Sequence, residues 1–115
     1  LIDHNTSLKE GVFVDFFNQA ACTTTSPARL ALMTGAAVLP VFAVWDDKLS
    51  KYYMRIEPAF DIVQTGNKLA DIRENTAQFT RLIEQYIRRY PDQWLWIHKR
   101  WKTRPPGEKS LYPSS

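Results

Sequence analysis

Apolar side chains recur at helical spacing along residues 72–90, and this pattern constrains the fold more than any other feature of the sequence. The positions are Ile72, Phe79, Leu82, Ile83, Tyr86, Ile87 and Tyr90. Asp71, with Glu74 three residues further on, resembles a capping box, and Pro91 stops the pattern. The spacing therefore predicts an amphipathic helix of about 19 residues, roughly 28 Å long, whose apolar stripe packs against a core.

Three segments rich in β-branched and aromatic residues precede this helix. Residues 12–17 (VFVDFF) predict an interior strand, and residues 51–57 predict another. Between them, residues 37–44 predict a strand in which Pro40 indicates an edge or a bulge. The polar residues 46–50 are typical of a hairpin turn, so the second and third strands are expected to be neighbours.

A short helix is expected between the first and second strands. Residues 18–25 are mostly small and predict a loop. Ser26 then offers an N-cap and Pro27 suits the first helical position. Residues 28–34 continue the helix, and Gly35 is expected to be its C-cap.

Pro91 is expected to open a further helix. Asp92 would lie in its first turn, and the cations near its end would complement the helix dipole. Its apolar face would hold Trp94, Ile97, His98 and Trp101. Residues 105–115 are rich in Pro, Ser and Gly and predict a loose C-terminal tail.

These elements predict an α/β fold with a partial mixed sheet flanked by helices. We expect residues 1–104 to belong to one domain and 105–115 to its tail. The elements are too few to cover both faces of a sheet, so further strands are expected outside this sequence. The chain begins with Leu1 rather than Met, and we expect it to be cut from a longer protein, with an exposed sheet edge that favours association.

The basic residues are concentrated in the second half of the chain. Residues 58–115 contain ten Lys and Arg against six Asp and Glu, whereas residues 1–57 contain five against six. Such a surface attracts anionic partners, which include lipid headgroups and nucleic acid. No apolar run approaches the ~18 residues that a membrane-spanning helix needs.

Several catalytic motifs are absent from the sequence. It contains no GxGxxG, no Walker motif, no CxxC, no HExxH and no GxSxG. His4 and His98 are far apart in the sequence and predict no metal site, and we expect no cofactor. Cys22 is the only cysteine and lies among small residues, which favours a packing role over catalysis.

Five sequence blocks, in order, resemble the lipid A biosynthesis acyltransferase family. They are GVFVDFF (11–17), ACTTTSPARLAL (21–32), TGAAVLPVFA (34–43), DIRENT (71–76) and PDQWLWIHKRWK (91–102). The last block, in which Gln-Trp-Leu-Trp is followed by a basic Trp-Lys, is the most specific. The resemblance covers nearly the whole chain and implies that residues 1–104 are the C-terminal half of a single acyltransferase domain.

The resemblance implies transfer of a fatty acyl group from an acyl-carrier protein or coenzyme A thioester to a hydroxyl of a lipid or glycolipid. The expected place is the cytoplasmic face of the cytoplasmic membrane, and the acceptor could be a lipid A precursor, a lysophospholipid or a mannosylated inositol lipid. The superfamily uses an H-x4-D/E pair, with the His as general base. Neither His4 nor His98 has an acid at that spacing. The pair is therefore expected upstream, and we expect no catalytic residue in this chain.

Two groups of substrate-binding residues follow from the resemblance. Asp3 stands where the family carries an acid before the strand and would line the active cleft, although a solvated loop acid is equally compatible. Thr23, Thr24 and Thr25, with Arg29 one turn on, could bind a phosphate or the thioester carbonyl at a helix N-terminus. In the alternative, Thr25 and Ser26 only cap the helix and Arg29 pairs with a neighbour.

An aromatic and basic group near the C-terminus is expected to contact an anionic membrane surface. It comprises Trp96, Lys99, Arg100, Lys102 and Arg104. Trp94 and Trp101 are expected to be mostly buried instead. The same stretch could bind nucleic acid, which we do not favour, and a non-catalytic lipid-binding relative is the other alternative to an enzyme.

Overall fold

The computed structural model describes residues 3–94 and 99–113. In the described residues, four strands and two α-helices follow one another: β1 (Gly11–Phe16), β2 (Gln19–Thr24), α1 (Ser26–Thr34), β3 (Val41–Asp46), β4 (Lys51–Ile56) and α2 (Lys68–Arg89). The predicted α/β class is confirmed. Within the described residues the strands form two separate antiparallel pairs, β1 with β2 and β3 with β4, whereas the prediction placed them in one mixed sheet.

β1 and β2 form a tight hairpin, so the loop predicted for residues 18–25 is wrong. Phe16 pairs with Gln19, and the two residues between them, Phe17 and Asn18, have φ values of 50° and 61°. Two consecutive left-handed residues make the kind of turn that matches strand twist in a two-residue hairpin. The small side chains of β2 are buried in the core rather than exposed in a loop, and their low strand propensity concealed the strand.

β3 and β4 form the predicted second hairpin, but β3 begins later than expected. Pro40 has no N–H to donate, so regular pairing starts at Val41. The Pro40 carbonyl still accepts from Glu57 N at 3.0 Å and prolongs the pairing irregularly. In the turn, the Asp46 carboxylate accepts from the Lys48 and Leu49 amides at 2.9 and 3.2 Å.

Both main helices are present, with different start signals from those predicted. Thr25 is the N-cap of α1 without a side-chain cap bond, and Gly35 ends the helix in the left-handed conformation at φ 71°. α2 begins at Lys68, where the Asn67 side chain accepts from Ala70 N at 3.2 Å. The predicted capping acid, Asp71, lies inside the helix, and its carboxylate instead accepts hydrogen bonds from the preceding loop.

The core lies where α2 crosses the β1–β2 hairpin. Phe16 and Ala21 are fully buried and meet Ile87 of α2. Trp94 and Trp101 are half-buried against Phe16, with ring centroids 5.6 and 5.5 Å away. Both tryptophans therefore pack on the hairpin and join the C-terminal part of the chain to the core.

Of the helix predicted after Pro91, the described residues form a single 3₁₀ turn, Pro91–Gln93. Trp94 is already extended, with φ −100° and ψ 140°, and residues 99–104 contain no helix. The predicted face residues Ile97 and His98 lie outside the described residues. Arg100, one of the cations expected in the last turn of this helix, bonds to the Cys22 carbonyl of β2 instead.

Residues 105–113 contain no helix or strand. They are nevertheless attached, because the Tyr112 hydroxyl accepts from Trp101 N at 3.0 Å and its ring lies 5.7 Å from Lys99 Nζ. Across residues 3–94 and 99–113, no helix combines the length and apolar character needed to cross a bilayer.

Candidate functional site

An apolar cavity of about 420 Å³ lies between α2 and the residues that lead into β3. α2 contributes apolar and aromatic side chains from successive turns: Phe79, Leu82, Ile83, Tyr86, Ile87 and Tyr90. Residues 38–42 and Phe60 form the facing wall. The apolar stripe of the predicted helix therefore serves two purposes, because part of it packs on the β1–β2 hairpin and part lines the cavity.

Asp3 is the one acid that borders this cavity among the described residues. Its Oδ2 accepts a hydrogen bond from Trp94 Nε1 at 3.2 Å, and its Oδ1 lies 3.7 Å from His4 Nε2. The side chain is 27% exposed, so the carboxylate is anchored on one side and accessible on the other. The sequence resemblance predicted that Asp3 lines the active cleft, and that role stays a prediction.

The three threonines and Arg29 do not form one site. Thr23 is fully buried, and its hydroxyl accepts from Arg100 Nη2 at 2.5 Å and donates to the Ala21 carbonyl. Its expected role in binding a ligand is therefore contradicted. Thr25 is 4% exposed and accepts from Arg29 Nε at 2.9 Å, which matches the alternative in which Arg29 pairs with a neighbour.

Thr24 points away from Thr23 and Thr25, as alternation along a strand requires. Its hydroxyl oxygen accepts from Ser26 N at 3.3 Å and contacts the Ser26 hydroxyl at 3.2 Å. Thr24 rather than Thr25 therefore satisfies a free amide at the start of α1. Of this predicted group, Thr24 and the exposed Arg29 are the residues that solvent reaches.

The predicted membrane-contact group is divided by burial. Arg100 is 1% exposed and the Arg104 side chain 8% exposed, so their prediction as membrane contacts is wrong. Arg100 Nη1 donates to the Cys22 carbonyl at 2.9 Å, and Arg104 Nη1 donates to the Ala20 carbonyl at 2.6 Å. Burial lowers the pKa of Arg100 to about 10, with a smaller opposing effect from Asp3.

Lys99 and Lys102 are exposed, as predicted, and Trp96 lies outside the described residues. The burial of Arg100 and Arg104 also weakens the alternative of nucleic-acid binding. That function needs a continuous basic surface, and these two cations are internal. Cys22 is fully buried, its thiol lies 3.4 Å from the Ser7 carbonyl, and burial raises its pKa. A buried thiol with a raised pKa suits the predicted packing role.

One polar group beside the cavity was not predicted from the sequence. The Tyr86 ring stacks on Phe42 at 3.7 Å, and its hydroxyl accepts from Arg55 Nε at 3.2 Å and donates to the Glu57 carboxylate. Burial and the Glu57 carboxylate raise the pKa of Tyr86. The available signal was Arg55, a cation within an otherwise aromatic and apolar strand segment.

Comparison with known proteins identifies the family. Residues 1–103 match the model of the bacterial lipid A biosynthesis acyltransferases. The chain is 37% identical to the lipid A biosynthesis palmitoleoyltransferase of Escherichia coli (strain K12), over 96% of this chain and 35% of that protein. It is 32% identical to the lipid A biosynthesis lauroyltransferase of the same organism, again over 96% of this chain and 35% of the relative.

A more distant relative acts on a different lipid. The phosphatidylinositol mannoside acyltransferase of Mycolicibacterium smegmatis is 30% identical over 81% of this chain and 28% of its own length. All of these relatives are acyltransferases by name. The chain belongs to the bacterial lipid A biosynthesis acyltransferase family, and it spans about a third of the length of the curated relatives that it matches.

Proposed function

We propose that the full-length protein transfers a fatty acyl group from an acyl-carrier protein or coenzyme A thioester to a hydroxyl of a lipid A precursor or related lipid. In this proposal the present chain supplies the cavity for the acyl chain and an acid at its border. The reaction would take place at the cytoplasmic face of the cytoplasmic membrane. The observation that carries the proposal is the apolar cavity with Asp3 on its wall, in a chain of this family.

The chemistry of the cavity suits a fatty acyl chain. Its volume of about 420 Å³ lies in the ~300–1,000 Å³ range of small-molecule sites. Burial of each methylene group contributes about 0.8 kcal/mol, so an aliphatic tail gains affinity in proportion to its buried length. The α2 side chains Leu82 and Ile83 have no hydrogen-bonding groups, so they present a purely apolar surface to such a tail.

The position of Asp3 suits a role next to the reacting groups. A carboxylate held by Trp94 Nε1 on one oxygen can accept a hydrogen bond from an acceptor hydroxyl on its exposed side. Such a bond would orient the hydroxyl oxygen towards the thioester carbonyl. Removal of the hydroxyl proton is assigned to the histidine of an H-x4-D/E pair elsewhere in the full-length protein, as the family resemblance implies.

The exposed lysines suit the anionic partners in this reaction. Lys99 and Lys102 lie on the surface, two residues before and one residue after the core tryptophan Trp101. Anionic lipid headgroups and an acidic acyl-carrier protein would both be attracted by them. We propose that these two residues face the membrane or the donor protein.

Acyl transfer by the full-length protein tests the proposal. The purified protein would be given acyl-carrier-protein and coenzyme A thioesters, with a lipid A precursor, a lysophospholipid and a mannosylated inositol lipid as acceptors. We expect transfer to one of these acceptors, and a fall in kcat of about 10²-fold or more in Asp3→Asn. Asp61→Asn is the matched control, because Asp61 is exposed and does not line the cavity.

The outcome also separates the enzyme from a binding protein. Lipid binding without transfer from either donor would favour a non-catalytic lipid-binding relative. Equal activity of Asp3→Asn and Asp61→Asn would remove Asp3 from the proposed site while leaving the acyltransferase proposal in place.

A further inference from the structure

The loop that carries Asp3 is fixed by a segment almost a hundred residues away in the sequence. We call residues 3–10 the Asp3 loop and residues 99–104 the clamp segment. Thr103 of the clamp segment donates its backbone N–H to Asn5 Oδ1 at 2.9 Å and accepts from Asn5 Nδ2 at 3.0 Å. Its hydroxyl then donates to the Thr6 carbonyl at 2.8 Å. Three hydrogen bonds therefore join one threonine to two consecutive loop residues.

The clamp segment is itself fixed to β2 by its two arginines. Arg100 bonds the Cys22 carbonyl and the Thr23 hydroxyl, and Arg104 bonds the Ala20 carbonyl. These are charge-assisted hydrogen bonds to internal groups, which hold their partners more firmly than neutral ones. Thr103 lies between two arginines anchored in this way. Its position relative to the hairpin is therefore fixed by contacts that do not involve the loop.

The Asp3 loop has no regular structure to hold it. Residues 3–10 form no helix or strand, and such segments depend on side-chain contacts for their position. The loop meets β2 directly through Thr6 N, which donates to the Cys22 carbonyl at 3.3 Å, and through the Ser7 carbonyl, which lies 3.4 Å from the Cys22 thiol. The bonds to Thr103 are shorter and lie two and three residues from Asp3.

We propose that Thr103 is a positioning residue, which holds the Asp3 carboxylate at the border of the cavity during acyl transfer. The inference rests on the function proposed above. A threonine hydroxyl contributes only about 1 kcal/mol to folding stability, whereas displacement of a reacting group by ~1 Å can cost up to 10²-fold in rate. The rate should therefore be more sensitive to this hydroxyl than stability is.

The test compares four variants of the full-length protein in steady-state acyl transfer. Thr103→Val keeps the shape of the side chain and removes both hydroxyl bonds, and we expect kcat to fall about tenfold with little change in KM. Thr103→Ser keeps the hydroxyl and should restore most of the rate. Thr34→Val is the control, because the Thr34 hydroxyl bonds only within and just after α1. Asn5→Ala removes the Asn5 Nδ2–Thr103 Oγ1 bond that Thr103→Val also removes, together with the bond from Thr103 N. It should lower kcat by a similar factor, and it provides the test from the loop side if Thr103→Val folds poorly.

A double mutant distinguishes positioning from a general loss of structure. If Thr103 acts through Asp3, adding Thr103→Val to Asp3→Asn should lower kcat no further. An equal tenfold fall with and without Asp3, or an unchanged kcat in Thr103→Val and Asn5→Ala, would overturn the inference while the acyltransferase proposal stands. Absence of acyl transfer in the wild-type protein would overturn both.

Discussion

Substitution of the buried Arg100 gives a prediction about stability. The cost of burying its charge and the gain from its hydrogen bonds oppose each other. Burial lowers the pKa of its guanidinium to about 10, and at about 1.36 kcal/mol per pKa unit this means that burying the charge costs about 3 kcal/mol. Its two hydrogen bonds, to Cys22 and Thr23, each contribute about 1.5–3 kcal/mol as bonds from a charged donor. The polar terms therefore largely offset each other, and the packing of the aliphatic stem decides the effect of substitution.

The neighbours of Arg100 support a small polar effect. Without the guanidinium, the Cys22 carbonyl still accepts from Thr6 N, and the Thr23 hydroxyl still donates to the Ala21 carbonyl. Neither group becomes an unsatisfied buried atom, which is the usual source of a large penalty. Arg100→Met, which fills a similar volume, should lower the free energy of unfolding by about 1 kcal/mol or less.

Arg100→Ala should be clearly worse, because it leaves a cavity beside the Phe16 ring, which lies 5.2 Å from the guanidinium carbon. A buried cavity of this kind costs about 2–4 kcal/mol. Chemical denaturation of the full-length protein measures both values, with Lys102→Met as the control because Lys102 is exposed. Equal destabilisation by Met and Ala would refute the argument, since it would mean that the hydrogen bonds, not packing, make Arg100 stabilising.

Three further predictions concern the fold. The hydrogen bond from Thr65 lowers the pKa of Asp71, so the stabilisation by the Asp71 carboxylate is complete above the ordinary aspartate pKa and is lost as the pH falls through the lowered pKa. Asp71→Asn should therefore lower the melting temperature at pH 7 and much less in acid. An equal fall in melting temperature at neutral and acid pH would contradict this. Gly11→Ala would place a Cβ 2.7 Å from Cys22 Sγ and should lower the free energy of unfolding, measured by chemical denaturation, by about 1–3 kcal/mol. An unchanged free energy of unfolding would show that the hairpin backbone shifts at Gly11 to accommodate the methyl group. Phe42→Ala removes the ring that stacks on Tyr86 and should speed hydrogen exchange in the β3–β4 hairpin but not in α2; uniform acceleration would mean that the hairpin does not open separately.

The sequence predicted those elements whose signals are local. The apolar period of α2, Pro27 near the start of α1 and Gly35 at its end were recognised because periodicity and helix-end signals depend on neighbouring residues. β2 was missed because a two-residue turn at Phe17 and Asn18 lacks the usual Asn-Gly signature. The start of α2 was misplaced because Asn67 and Asp71 are both good capping residues, and only tertiary contacts decide between them.

The prediction of surface residues was wrong where charge was the only guide. Asp3 borders the cavity, and its predicted role in an active cleft stays a prediction. Arg100 and Arg104 were expected outside, because a sequence cannot show that an arginine has backbone carbonyls to bond in the interior. The Thr103 contact with Asn5 was equally hidden, since it joins residues 98 positions apart.

The central claim is that the cavity along α2 holds the acyl chain, and the acyl-chain-length preference of Leu82→Trp tests it most directly. Leu82 lines the cavity, and a larger ring there should exclude long chains. Leu69→Trp is the control, because Leu69 lies on the same helix but is 77% exposed. In the full-length protein we expect Leu82→Trp to lower kcat/KM for a palmitoyl donor at least tenfold relative to a lauroyl donor, with Leu69→Trp unchanged. An unaltered chain-length profile in Leu82→Trp would contradict the account.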